Sequence, residues 1–293
     1  MWALAVHGGA GVHSGRDYSR AEAFLGALVR TSGEKLANGA AAVDVVEEAV
    51  AAMEAAGLFV AGRGSAPNAL GHVELDATIM DGWTGRAGGV AAMQAIAAPV
   101  KVARCVMDVS NHVLLTGEGA TAFARSHGIE AVGDQSMWLT TPDGFDPADL
   151  DDGHGTVGAV ALDEKGRLAA ATSTGGTYGA APGRVGDTAV IGAGTWADHH
   201  VAVSCTGEGE AFIRSVAAYD LSARLRYARA GLGEAAAAVL KAVVRNDGDG
   251  GLIAITATGE IVMPFNTDGM KRACASSAME PRVGSVGADL RCV

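Results

Sequence analysis

Apolar and polar positions along the chain follow two different periods, and each change of period marks an element. Leu4-Ala5-Val6-His7 reads as a short buried strand running into a turn at Gly8-Gly9-Ala10-Gly11. From Ser19 to about Ala55 the spacing is helical, interrupted near Asn38-Gly39. Val43, Val46, Val50 and Met53 lie three and four apart there, with Asp44, Glu47 and Glu48 on the other face. Val73 to Met80 alternates as a strand, Asp81-Gly82 turns the chain, and Gly88 to Met93 begins a second strand. Helices are predicted over Pro99 to Val109 and His112 to Ala124. Between Ser126 and Gly155 periodicity is lost and Gly, Pro and Asp accumulate, which reads as a mobile linker; a loop of that length inside a domain usually has a purpose. Strands are then predicted over 156–162, 167–173, 188–193 and 200–205, a long helix over 208–228, another over 233–245, and strands at 251–256 and 260–263. Helices first, strands in the middle, then helices and strands again predict layered α/β packing in a single domain, 1–293, divided by the linker.

Composition narrows the function. With 293 residues, 49% hydrophobic and 19% charged, the chain is globular and has enough apolar residues for a large core. A formal charge of −11 and the lack of any Lys/Arg run argue against nucleic acid or an anionic membrane as partner. No apolar stretch is long enough to span a bilayer. The first residues lack the basic flank and long apolar core of a signal peptide, and the four cysteines, Cys105, Cys205, Cys274 and Cys292, form no CxxC pair. A cytoplasmic protein with free thiols is expected. The glycine-rich run from Gly57 to Asn68 fits neither a phosphate-binding loop nor a dinucleotide fingerprint, so no nucleotide site is read there.

The chemistry gathers after the linker. Thr156 follows Gly155 and opens the apolar run Val157 to Leu162. As a strand-initial threonine it is ordinary. If the Gly155–Thr156 bond were cut, it would carry a hydroxyl and a free amine together, nucleophile and base in one residue. Asp163-Glu164-Lys165-Gly166 is a turn signal. A four-residue loop pairs Leu162 with Arg167, places Thr156 opposite Ser173 and puts Thr174 next to it. Arg184 and Asp187, three apart between glycines, form either a surface ion pair or a grip for a zwitterion, guanidinium on α-carboxylate and carboxylate on α-ammonium. Thr206 and Gly207 stand where a strand meets the long helix. They either cap the helix or cradle an oxyanion.

Gly155-Thr156-Val157-Gly158-Ala159-Val160, Thr172-Ser173-Thr174-Gly175-Gly176, Gly183-Arg184-Val185-Gly186-Asp187 and Cys205-Thr206-Gly207-Glu208-Gly209-Glu210 together resemble the plant-type L-asparaginase/isoaspartyl peptidase family of N-terminal-nucleophile hydrolases. The likeness extends to His7-Gly8-Gly9-Ala10-Gly11, Leu75-Asp76-Ala77-Thr78-Ile79-Met80 and Pro264-Phe265-Asn266-Thr267-Asp268-Gly269-Met270, and it fades after Arg272.

The resemblance implies a four-layer αββα sandwich (an α+β fold) and autocleavage between Gly155 and Thr156 into an α subunit, 1–155, and a β subunit, 156–293. It also implies a heterotetramer built as a dimer of αβ units. The implied reaction is hydrolysis of β-aspartyl amides, with L-asparagine and β-aspartyl dipeptides as small-molecule substrates, through an acyl-enzyme ester on Thr156. In matching positions Thr174 would orient the nucleophile, Arg184 and Asp187 would hold the substrate's α-groups, Thr206 and Gly207 would form the oxyanion hole, and Gly209 would line the pocket. No cofactor is implied for catalysis. The loop with Glu54, Phe59, Ala61 and Gly64 resembles one in which backbone carbonyls hold a structural sodium ion. Relatives of this family usually carry Asn where this chain has Val60. Losing one oxyanion donor costs about 2.7–4 kcal/mol in the barrier, so either another group, with Asn68 the candidate, substitutes or turnover is lowered. Two other readings remain: a glycosylasparaginase-like amidase, and an uncleaved homologue serving as a binding scaffold.

Overall fold

The computed structural model describes residues 1–143 and 155–293. Its first half follows the sequence periods closely. β1 (Ala3–His7) leads to α1 (Ser19–Ala37) and α2 (Ala42–Ala56). The break between the helices falls at Gly39, whose φ is +88°, and α2 ends on Gly57 in the left-handed region. β2 (Leu75–Asp81) and β3 (Ala87–Met93) form a hairpin, and α3 (Pro99–Val109) starts on its proline.

The region expected to be one helix from His112 divides. Leu114–Thr116 is β4, pairing in parallel with β3, and only Gly117–Ser126 is helical (α4). Gly117, at φ +54°, turns the chain between them. The stretch after Ser126, read as linker, begins ordered: the Val132 and Thr140 N–H groups donate to the Ala95 and Arg63 carbonyls at 2.9 and 2.7 Å. It includes the short helix α5 (Gln135–Trp138), and the Asp143 N–H donates to the Leu58 carbonyl. The rest of the expected linker, 144–154, lies outside the described residues.

After it come β5 (Val157–Leu162), β6 (Leu168–Thr174), β7 (Thr195–Ala197), β8 (Val201–Gly207), α6 (Gly209–Ser215), α7 (Ala217–Tyr227), α8 (Leu232–Arg245), β9 (Gly250–Thr256) and β10 (Ile261–Val262). Two expectations fail here for local reasons. The strand expected at 188–193 is a single turn of 3₁₀ helix, Asp187–Ala189, followed by Gly192 at φ +92°, and the strand comes only at β7. The long helix from 208 breaks at Val216, at φ +48°, because the Ala218 and Tyr219 N–H groups bond to the Ala193 and Gly192 carbonyls instead of to the preceding turn.

The tail that the sequence leaves unplaced forms β11 (Gly269–Ser276), β12 (Met279–Val286) and β13 (Arg291–Cys292). Its anchor is Arg272, fully buried beneath Phe265, whose guanidinium donates to the carbonyls of Met270, Gly287 and Ala288 at 2.8–2.9 Å. A buried arginine with its donors met by carbonyls is compatible with a strand interior that composition alone reads as polar.

Nine strands make one sheet, in the order β13-β12-β11-β1-β5-β6-β2-β3-β4, and four make a second, β10-β9-β8-β7. Alternation divides each strand between two faces. Leu4, Val6, Ala159, Ala161, Ala169 and Ala171 pack against α1, α2 and α3. Ala3, Ala5, Val160, Leu162, Leu168 and Ala170 meet Ala202, Ile253 and Ile255 of the second sheet. The other face of that sheet, including Val203, Cys205 and Leu252, is covered by α6, α7 and α8. The molecule is thus a mixed α and β structure with its two sheets face to face. No helix of the described residues is long and apolar enough to cross a membrane.

Candidate active site

The site is built on the inter-sheet face at one end of β5 and β6. The Asp163 carboxylate receives the Lys165 and Arg167 N–H groups and the Arg167 Nε, and Gly166 adopts φ +76°. This five-residue loop is one longer than the turn signal implied. Leu162 therefore pairs with Leu168 and Val157 with Ser173. Continuing that register puts Thr156 opposite Thr174, not Ser173. The one-residue correction matters, because neighbours along a strand point to opposite faces. Thr156 and Thr174 then share the inter-sheet face, and both are almost fully buried.

The Thr174 hydroxyl donates to the Gly155 carbonyl at 2.5 Å and accepts from the Gly176 N–H at 3.2 Å. A donor therefore already sits on the carbonyl of the bond that Thr156 follows. Gly155 has no room for a side chain, since a Cβ there would lie 2.9 Å from that of Val60. Gly9, at φ +101°, passes along the other side, where a Cβ would lie 3.5 Å from the Thr156 nitrogen. The next residue, Ala10, donates its N–H to Thr206 Oγ1 at 3.3 Å. The glycine turn after β1 thus ties the nucleophile candidate to the oxyanion candidate on the second sheet. At Gly207 (φ +144°) and Gly250 (φ +149°) the backbones of β8 and β9 nearly touch; a Cβ on Gly207 would lie 2.2 Å from the Asp249 carbonyl oxygen. Asn266, not singled out from the sequence, closes this end by accepting the Gly250 N–H and donating its own N–H to the Gly250 carbonyl.

The proposed clamp lies alongside. Asp187 is buried with Oδ2 lacking a hydrogen-bond partner, and burial raises its pKa to about 7, Arg184 opposing that rise and Asp76 adding to it. Arg184 makes a two-point pair with Glu210, Nε to Oε1 at 2.9 Å and Nη2 to Oε2 at 2.8 Å. Gly209 makes space for both groups: a Cβ there would be 2.9 Å from Arg184 Nη2 and 3.1 Å from Asp187 Oδ1. Two residues that the sequence did not flag hold the clamp. Glu210 engages the guanidinium. Asp76, buried and with its pKa raised by burial to about 6, accepts from the Ala92 and Gly186 N–H groups at 2.8 and 3.3 Å. An acidic residue in a strand with a buried apolar pattern was the available signal for Asp76, because such groups are rarely buried without a task.

Asn68 does not face the nucleophile's chemistry. Its amide donates to Glu74 and its Oδ1 accepts from the Leu70 and His72 N–H groups, which commits it to its own turn. Val60 meets Gly155 by contact alone, and its carbonyl accepts the Gly175 N–H.

The loop from Glu54 to Gly64 closes over backbone oxygens. A Cβ on Gly62 would lie 2.3 Å from the Glu54 carbonyl oxygen, and one on Gly64 2.0 Å from that of Phe59. The Phe59 and Ala61 carbonyls accept the Ala61 and Gly64 N–H groups at 2.8 and 3.1 Å, each keeping a lone pair. Burial raises the Glu54 carboxyl to a pKa of about 8, so it adds no charge near neutrality. Among the described residues no group of three or more His, Cys, Asp and Glu forms a metal cluster.

A family model described as Asparaginase matches residues 1–143 and 139–285, on both sides of the expected cleavage point. The chain is 42% identical to an isoaspartyl peptidase of Escherichia coli over 96% of its length and 95% of that protein's. It is 43% identical to a plant-type L-asparaginase of Pyrobaculum calidifontis, covering 93% of this chain and 96% of the relative. A probable isoaspartyl peptidase/L-asparaginase of Arabidopsis thaliana is 39% identical, covering 94% and 96%.

Proposed function

The chain belongs to the Asparaginase family, and from that premise we propose that it is a self-processing threonine hydrolase of β-aspartyl amide bonds, acting on L-asparagine and β-aspartyl dipeptides. The observation that carries the reading is the Thr174 hydroxyl donating to the Gly155 carbonyl beside Thr156. The order of helices, sheet, sheet and helices supports the αββα arrangement of N-terminal-nucleophile hydrolases.

In the first step the Thr156 hydroxyl attacks the Gly155 carbonyl, with Thr174 stabilising the oxyanion. The acyl group moves from the Thr156 nitrogen to its hydroxyl oxygen, which breaks the Gly155–Thr156 C–N bond and frees the amine carrying the hydroxyl's proton; water then hydrolyses the ester, releasing the Gly155 carboxylate and restoring the Thr156 hydroxyl. That amine, with a reference pKa of roughly 7.7–8.0, then takes the hydroxyl proton as substrate binds. The alkoxide attacks the β-carbonyl, Thr206 and Gly207 receive the oxyanion, and ammonia or an amino acid leaves. Water finally releases L-aspartate from the ester. Arg184 and Asp187 select an aspartyl unit with free α-carboxylate and α-ammonium, and Gly209 leaves room for it. A structural sodium ion would be held by the carbonyls of Glu54, Phe59, Ala61 and Gly64, fixing the loop that carries Val60. The assembly expected is a dimer of αβ units.

The test is direct. Purified protein should convert on standing to fragments 1–155 and 156–293 on a denaturing gel, and should then release ammonia from L-asparagine and the amino acid from β-aspartyl dipeptides. An intact band after prolonged incubation with no turnover would instead make the chain a binding scaffold.

The clamp also predicts a pH dependence. Asp187 binds an α-ammonium only when ionised, and its raised pKa of about 7 keeps it largely protonated below neutrality in the empty site. The inhibition constant of L-aspartate should therefore fall as pH rises from 6 to 8, while that of succinate, which lacks the ammonium, should not. Parallel curves for the two inhibitors would remove Asp187 from the clamp.

A further inference from the structure

Directly beneath the catalytic residues lies a second polar row that the reaction above does not use. His7, Gly158, Thr172 and Thr78 are partners across β1, β5, β6 and β2, two residues further in than the Thr156–Thr174–Asp76 row and on the same face. From the opposite sheet come Ser204 and Thr195, themselves cross-strand partners. His7, Thr172, Ser204 and Thr195 are all fully buried. Gly158 is the gap that lets them meet: a Cβ there would stand 2.0 Å from Ser204 Oγ and 2.4 Å from His7 Nε2.

Thr195 Oγ1 donates to Thr172 Oγ1 at 2.6 Å. Either hydroxyl can donate in the 2.7 Å contact between Thr172 and Ser204; because the Gly194 carbonyl is at 3.4 Å, we assign the Thr172 hydrogen to the serine. Ser204 is then left to donate to His7 Nε2 at 2.9 Å. Burial holds the imidazole neutral, with its pKa lowered to about 3. A neutral ring that accepts at Nε2 carries its hydrogen on Nδ1, and this is how the tautomer is assigned. Nδ1 is buried without a hydrogen-bond partner, and Thr156 stands on the same face, two residues along β5 from Gly158, the cross-strand partner of His7. A buried chain of this kind is one-directional only when every hydroxyl has its place, so removing one member frees the rest to reorient.

The geometry points to His7 as a positioning residue for the nucleophile: the hydroxyl relay Thr195–Thr172–Ser204 fixes the imidazole so that Nδ1–H is aimed at the Thr156 carbonyl. This holds the Thr156 backbone, and with it the amine and hydroxyl, against the oxyanion donors once the Gly155 bond is gone. The inference rests on the proposed function. His7 has a structural hydrogen bond through Nε2, and the inference concerns the other nitrogen.

Amide substitutions separate the two nitrogens, because the Asn amide occupies the Nδ1 position and the Gln amide the Nε2 position. Matured His7→Asn, His7→Gln and Ser204→Ala are compared with the unaltered protein for kcat and KM on L-asparagine and a β-aspartyl dipeptide, with unfolding temperature as a check on folding. A misplaced nucleophile costs up to about 100-fold. His7→Gln should lose kcat by about that factor with KM little changed, His7→Asn should retain most of it, and Ser204→Ala should lie between. Variants that fold but do not mature are ranked by their rate of self-cleavage, in the same expected order. If neither histidine variant folds, Ser204→Ala decides by its kcat. A packing role predicts that the larger Gln serves as well as Asn or better; that result, or an unchanged kcat in Ser204→Ala, overturns the inference. No turnover by the unaltered protein would instead overturn the proposed function.

Discussion

Thr156→Ala is expected to leave the polypeptide in one piece indefinitely and to abolish amide hydrolysis. Removing the hydroxyl takes away the nucleophile of both reactions, and without cleavage the amine that serves as base never forms. Loss of an enzymic nucleophile typically costs on the order of 10⁶ in kcat, and here processing fails as well, so no residual rate should be measurable. Thr156 lies at the start of β5 and is buried, but the change removes only the hydroxyl and one methyl, so the fold should survive and its unfolding temperature should stay near that of the parent. A variant that still cleaved, or that released ammonia from asparagine, would remove Thr156 from the mechanism. Thr156→Ser, which keeps hydroxyl and amine, should cleave and turn over at a reduced rate.

The next largest effect is expected for Thr174→Val. Valine keeps the shape of threonine but cannot donate to the Gly155 carbonyl, where the hydroxyl now sits at 2.5 Å. Removing one donor from a developing oxyanion typically slows a reaction by about 10²–10³-fold. The half-time of self-cleavage, followed on denaturing gels, should lengthen by about that factor, and Thr174→Ser should restore it. Cleavage at the parental rate would mean that the hydrogen bond is incidental.

The sequence made the main helices legible because their apolar stripes are regular. β5, β6, β8 and β9 were legible because each is a continuous apolar run between turn signals. What it hid was hidden for physical reasons. The break at Val216 depends on carbonyls of residues 192 and 193, more than twenty positions away, which no local period records. β11 carries Lys271 and Arg272 in its interior and reads as polar until the carbonyls of the β12–β13 turn meet the guanidinium. At the site, Thr156, Thr174, Arg184, Asp187, Thr206, Gly207 and Gly209 could be named from motifs. Asp76, Glu210 and Asn266, which hold those residues in place, stand inside the same motifs but carried no role there, because their partners lie on other elements. The register of the β5–β6 hairpin missed by one residue, since the side chain of Asp163 enlarges its own turn.

If the chain is cut after Gly155 as proposed, the strand order of the larger sheet has a consequence for the two pieces. Residues before Gly155 supply β1 and the β2-β3-β4 edge, while residues after it supply β5-β6 and the β11-β12-β13 edge. Read across the sheet, the two fragments alternate, and they share three hydrogen-bonded seams: β11 with β1, β1 with β5, and β6 with β2. Neither piece can leave without tearing a ladder from the middle of the sheet. The fragments therefore stay together under native conditions without a covalent bond, but a molecule that has been unfolded must find its other half again in solution. Folding is unimolecular before the cut and bimolecular after it, so recovery from heat or denaturant should depend on protein concentration only in the mature form. The proposed self-cleavage would thus turn a chain that folds by itself into two pieces whose assembly is, in practice, done once.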